Sequence, residues 1–97
     1  MEYPPLADIE IRQKHALRPD ETRALAENIA ERVNDSFPLQ YHWEGGSLHF
    51  RRRGITGRID LEGSEVRVQV KLGWLLSPMK QRVEDQIREY LSEVLKT

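Results

Sequence analysis

Hydrophobic and polar residues alternate along most of this chain, and the period of the alternation changes at identifiable places. Ala7, Ile9 and Ile11 alternate with Asp8, Glu10 and Arg12, the period of two that puts one side of a strand into a core. Lys14 to Arg18 connects this strand to a stretch of different rhythm. Leu25, Ile29, Val33 and Phe37 recur every four residues with Ala26 and Ala30 beside them, while Glu27, Glu31 and Arg32 face away. That spacing predicts an amphipathic helix of about four turns. Pro19 suits its first turn, Asp20 and Glu21 suit the positive end of its dipole, and Pro38 ends it.

Four short strands are expected next. Leu39, Tyr41 and Trp43 alternate with Gln40, His42 and Glu44, and Gly45-Gly46 supplies a two-residue turn of the primed type. Leu48 and Phe50 alternate with His49 and Arg51 up to a turn near Arg53-Gly54. Ile55, Gly57, Ile59 and Leu61 alternate with Thr56, Arg58 and Asp60 up to Glu62-Gly63-Ser64. Val66, Val68, Val70 and Leu72 alternate with Arg67, Gln69 and Lys71. Gly73 breaks this last strand, Ser77 suits a helix N-cap, and Pro78 suits the first helical position. Met79, Val83, Ile87, Tyr90, Leu91 and Val94 then line one side of a closing helix that runs almost to Thr97.

The expected fold class is α+β: strand, helix, four-stranded antiparallel meander, helix, with both helices on one face of the sheet. A long terminal helix across a curved sheet resembles a reduced helix-grip arrangement. A chain of 97 residues has room for one core. Residues 1–97 are therefore expected to form a single domain, with 1–6 as a loose, Pro-containing lead-in.

Composition excludes more than it selects. With no cysteine, disulfides, thiolate nucleophiles and thiolate metal sites are all ruled out, which suits a reducing compartment. The start, Met1-Glu2-Tyr3-Pro4-Pro5, is acidic where a signal peptide is basic, and the longest apolar stretch, Trp74-Leu75-Leu76, is far too short for a membrane span. A cytoplasmic protein is expected. The net charge of −1 argues against a wholesale polyanion binder, although charge can still be segregated by face.

Catalytic groups do not assemble in this pattern. Ser36, Ser47, Ser64, Ser77 and Ser92 fall at helix ends, in turns, at a cap and on a helix, and none stands in a nucleophile elbow. His42 and His49 lie on the polar side of adjacent strands, but a third metal ligand in register is not evident, so two surface histidines are expected. His15 suits a local hydrogen bond to backbone. No enzyme activity, cofactor or metal is expected.

Two surface features remain. Arg51, Arg53, Arg58, Arg67 and Lys71 project from the polar side of the meander, with Arg52 at the turn beside them and Glu44 and Asp60 interrupting the patch. This is either a contact for nucleic acid or an acidic partner, or a solvated sheet face, and the solvated face is favoured because no aromatics interleave with the cations. Trp43 and Trp74 both belong to the buried set by alternation, so core filling is the default for each. The alternative is that the cluster Gly73-Trp74-Leu75-Leu76 leaves Trp74, Leu75 and Leu76 as an apolar contact at a strand-to-helix corner.

Several segments, in order, carry a family resemblance. His15-Ala16-Leu17, the stretch Ala24 to Ala30, Tyr41-His42-Trp43-Glu44-Gly45, Leu48-His49-Phe50, Gly54-Ile55-Thr56-Gly57-Arg58-Ile59 and Leu72-Gly73-Trp74-Leu75-Leu76 resemble the polyhydroxyalkanoic acid system protein family across Asp8 to Leu95. The resemblance implies an accessory role in polyhydroxyalkanoate storage and no reaction or catalytic residues. It makes a polyhydroxyalkanoate granule surface or a granule protein the expected partner. Two other readings stay open: a nucleic-acid or acidic-partner binder using the basic face, and a small binder of acyl or other apolar ligands between sheet and terminal helix, which would need a cavity that a chain this short can hardly spare.

Overall fold

In the computed structural model, which describes residues 8–32 and 39–95, the chain runs as β1 (Ile9–Lys14), α1 (Pro19–Arg32), β2 (Gln40–Glu44), β3 (Ser47–Arg52), β4 (Ile55–Glu62), β5 (Glu65–Leu72), a 3₁₀ turn (Ser77–Met79) and α2 (Lys80–Val94). Two-residue loops join β2 to β3, β3 to β4 and β4 to β5, because Glu44 pairs with Ser47, Arg52 with Ile55 and Glu62 with Glu65. Tight loops make these strands neighbours, and β1 adds antiparallel to the far side of β5. The sheet order is β1-β5-β4-β3-β2. The α+β class and the strand-helix-strands-helix order expected from the alternation are what the chain adopts.

One face of the sheet and both helices share a core. Ile9 and Ile11 of β1, Leu48 and Phe50 of β3, Ile55 and Ile59 of β4, and Val66, Val68, Val70 and Leu72 of β5 are buried with Leu25, Ala26, Ile29 and Ala30 of α1 and Val83, Ile87, Tyr90 and Leu91 of α2. Burying an aliphatic side chain of this size stabilises by roughly 1.5–3 kcal/mol, so this cluster is the main driving force for the fold. Gly57 belongs to it through what it lacks. The Phe50 ring lies flat over it, and a Cβ there would stand 2.1 Å from Phe50 Cζ.

The helix ends differ from what the residues suggest. At the start of α1, Glu21 Oε1 accepts from the Arg18 backbone N–H at 2.9 Å, half of a capping box, and the Thr22 hydroxyl donates to the Arg18 carbonyl at 2.8 Å. The expected continuation through Val33 and Phe37 to Pro38 lies outside the described residues. At the other helix, Ser77 does not act as a side-chain N-cap. The Met79 N–H bonds to the Leu76 carbonyl at 2.8 Å and the Lys80 N–H to that of Ser77. These i-to-i+3 bonds occupy the donors that a capping hydroxyl would have satisfied. Val94, expected on the apolar side of this helix, is exposed near its end.

Candidate functional site

The outer face of the sheet is built of transverse rows set by strand register. One row runs Glu44, Ser47, Asp60, Arg67 and Arg12; the next runs His42, His49, Arg58, Gln69 and Glu10; the third runs Gln40, Arg51, Thr56 and Lys71. In the first two rows opposite charges meet. Arg58 Nε donates to Asp60 Oδ1 at 2.8 Å, and the Ser47 hydroxyl donates to the same oxygen. Arg67 Nη2 and Nε lie 2.9 and 3.1 Å from Glu10 Oε2. Asp60 and Gln69 are only 2% and 4% exposed although they sit on the polar face, so long side chains across the pleat roof over this part of the sheet.

The expected basic patch therefore divides. Arg58 and Arg67 are tied into carboxylate pairs, whereas Arg51, Arg53 and Lys71 line one hollow of about 460 Å³ at the end of the sheet where β3 turns into β4. No carboxylate is among the described residues lining it; the nearby Asp8 carboxylate accepts from the Leu72 backbone N–H at 2.7 Å. Arg52, placed by sequence at the turn with this group, is buried instead. It continues the parity of Leu48 and Phe50 and so belongs to the core side of β3, which the alternation could have shown.

The histidines are placed more simply. His15 Nδ1 accepts from the Leu17 backbone N–H at 3.1 Å, the local bond expected of it. His42 and His49 face each other across β2 and β3, their rings stacked 5.1 Å apart, with Glu44 Oε1 3.1 Å from His49 Nε2. No cluster of three or more His, Asp or Glu side chains among the described residues could hold a metal ion.

The two tryptophans part company. Trp43 is half-buried: its indole N–H donates to Glu27 Oε2 at 2.9 Å, and the Arg23 guanidinium stacks 3.9 Å from its ring. Trp74 is 83% exposed and Leu75 70% exposed. The core placement expected by default for Trp74 is thus corrected, and the reason is local. β5 ends at Leu72, so its alternation does not reach residue 74. The Gly73 N–H instead bonds to the Gly54 carbonyl at 2.8 Å, and the Leu76 N–H bonds back to the Gly73 carbonyl at 2.9 Å. Trp74 and Leu75 become the two central residues of a tight turn, the positions that point outward. Leu76 turns inward onto Gly54, whose φ of 83° and missing Cβ make room for it; a Cβ there would stand 2.7 Å from Leu76 Cδ1. Tyr41 is also exposed, at 44%, because β2 is the edge strand farthest from β1.

On the helix side of the same sheet end lies an open groove of about 350 Å³. Its apolar lining comes from Ile55, Leu75, Leu76, Met79 and Val83, and its charged lining from Arg32, Arg52, Arg53 and Arg82. The sequence suggested that a cavity between sheet and terminal helix could hardly be spared and named none of these arginines for one, because the parts of the groove come from α1, the β3–β4 turn, the corner and α2. The cationic hollow, the groove and the exposed corner share one end of the molecule.

Comparisons with known proteins add one finding. The family described as polyhydroxyalkanoic acid system protein matches residues 9–95, nearly the whole chain, so the chain belongs to that family. No curated protein and no solved structure matches it significantly. Among the described residues, no helix is long and apolar enough to cross a membrane.

Proposed function

With membership of the polyhydroxyalkanoic acid system family as premise, we propose that this chain is a non-enzymatic accessory protein that attaches to storage granules through the corner of Trp74, Leu75 and Leu76. The observation that carries this reading is the exposure of Trp74 and Leu75 on a turn closed by the Leu76–Gly73 backbone hydrogen bond and tied to Gly54 through Gly73. An exposed indole beside an exposed leucine costs solubility and contributes little to the core. Such residues are accounted for when they meet an apolar surface. Leu76 is the root of the corner, seated on Gly54, and orients the two residues before it. The family description names a storage system and no reaction, and the serines and histidines form no nucleophile-base pair among the described hydrogen bonds. Co-sedimentation with isolated granules tests the reading. The wild-type chain is expected in the granule fraction, and Trp74→Ala is expected to release it; equal retention of the variant would refute the contact.

A second reading has one observation in its favour. Arg51, Arg53 and Lys71 converge on a hollow with no carboxylate among its described lining, which suits an acidic partner. Binding through it would weaken steeply with salt. Of the five cations expected to serve a nucleic-acid contact, Arg58 and Arg67 are in ion pairs with Asp60 and Glu10, which favours a small acidic epitope over a long polyanion.

A further inference from the structure

The groove between the β3–β4 turn and the start of α2 combines two features. Its floor is aliphatic, from Ile55, Leu76, Met79 and Val83, and its rim carries Arg32, Arg53 and Arg82, with the buried Arg52 behind them and no acidic residue among the described lining. Gln86 is the remaining long polar side chain there. Among the described residues Arg32, Arg53 and Arg82 make no ion pair, in a chain whose other arginines on the sheet and on α2 commonly do. Arg32 is held by a ring face, its guanidinium 4.7 Å from the centre of Tyr90. A stack of that kind orients the charge and leaves its hydrogen-bonding edge available. The volume lies within the roughly 300–1,000 Å³ typical of small-molecule sites, and apolar walls with a few polar anchors are the usual composition of such sites.

An occupant that matches both features has an aliphatic chain and an anionic end. A neutral oil would leave arginines facing an apolar chain, and a small inorganic anion would leave the apolar floor wet. We propose that this groove binds a single medium-length aliphatic carboxylate, with its chain along Leu76, Met79 and Val83 and its carboxylate against the arginine rim. Guanidinium groups bind carboxylates with two parallel hydrogen bonds, so the rim sets the direction in which the chain enters. The groove shares Leu75 and Leu76 with the corner contact, but Trp74 does not line it, so a change at Trp74 tells the two apart.

Titration of the full chain with decanoate, followed by calorimetry and by amide chemical shifts, tests the proposal. Decanoate is expected to saturate at one site below its micelle concentration, with shifts at Gly54, Leu76, Met79 and Val83. Decanol, equal in chain and lacking charge, is expected to bind about tenfold more weakly, as is decanoate to Arg82→Glu, which changes an exposed residue. Met79→Ser should weaken binding severalfold. Trp74→Ala should bind decanoate as wild type does, whatever it does on granules. Equal affinity for decanol and decanoate would overturn the proposal, as would shifts confined to other parts of the chain. Attachment to phosphatidylglycerol vesicles without any response to decanoate would also overturn it and assign the arginines to a lipid surface.

Discussion

Trp43 and Trp74 are the same residue in opposite situations. Trp43 sits on an edge strand yet is held on two sides by α1, with Glu27 accepting its indole N–H and Arg23 covering its ring. Trp74 stands at a corner where β5 has ended, and none of the described hydrogen bonds or ring contacts uses its side chain. The difference separates two uses of an aromatic residue. Trp43 closes the edge of the sheet against α1, and its presence is explained by the fold. Trp74 has no such partner among the described hydrogen bonds and ring contacts, and a surface outside the chain would account for it.

The contrast can be broken at either residue. Trp43→Ala removes a half-buried ring, a hydrogen bond and a cation–π contact, and is expected to cost about 2–3 kcal/mol of stability. Thermal or denaturant unfolding would show it, while granule retention of the folded fraction should not change. Loss of granule binding in a folded Trp43→Ala chain would erase the distinction. Trp74→Ala should do the reverse: retention on granules falls about tenfold or more, equivalent to about 1.4 kcal/mol, while the unfolding midpoint stays within the small range usual for exposed sites. A destabilised Trp74→Ala chain would show that the corner contributes to the fold after all. The smallest effects sharpen the Trp43 side. Arg23→Ala and Glu27→Gln should each cost roughly 0.5–1 kcal/mol on unfolding, and the double variant with Trp43→Ala should cost little more than Trp43→Ala alone, because the partners are in contact.

A second contrast, between the rows of the outer face, explains why a basic patch read along the chain is not one in space. Alternation correctly put Arg58, Arg67 and Lys71 on one side of the sheet. It could not tell that register sets Arg67 opposite Asp60 and Arg12, with Glu10 near enough to bind it, while Lys71 meets Thr56. Charge density along a strand is a property of sequence, but neutralisation depends on the neighbouring strands. Only the row of Arg51 and Lys71, extended by Arg53 at the turn, remains cationic with no carboxylate in its described hollow.

Much of the architecture was legible because its causes are local or periodic. A period of two with tight loops makes an antiparallel meander, and a period near four makes a helix that must cover an apolar face. The inward set of β3, β4 and β5 follows from that arithmetic, including the small residue at Gly57 under Phe50. What failed did so where periodicity stops or competing bonds intervene: Ser77 lost its cap role to 3₁₀ bonding, and Trp74 lay beyond the last paired residue of β5.

The sequence by itself determined the α+β class, the strand and helix order, and membership of the polyhydroxyalkanoic acid system family, because each is written in consecutive residues. Tertiary structure alone decided which apolar residues are left outside and where cations gather without acids. Those outcomes depend on Gly54 receiving both the Gly73 N–H and the Leu76 side chain, a contact between segments about twenty residues apart. That one contact sets the exposed corner beside the groove and the cationic hollow. No local rule along the chain brings the three together.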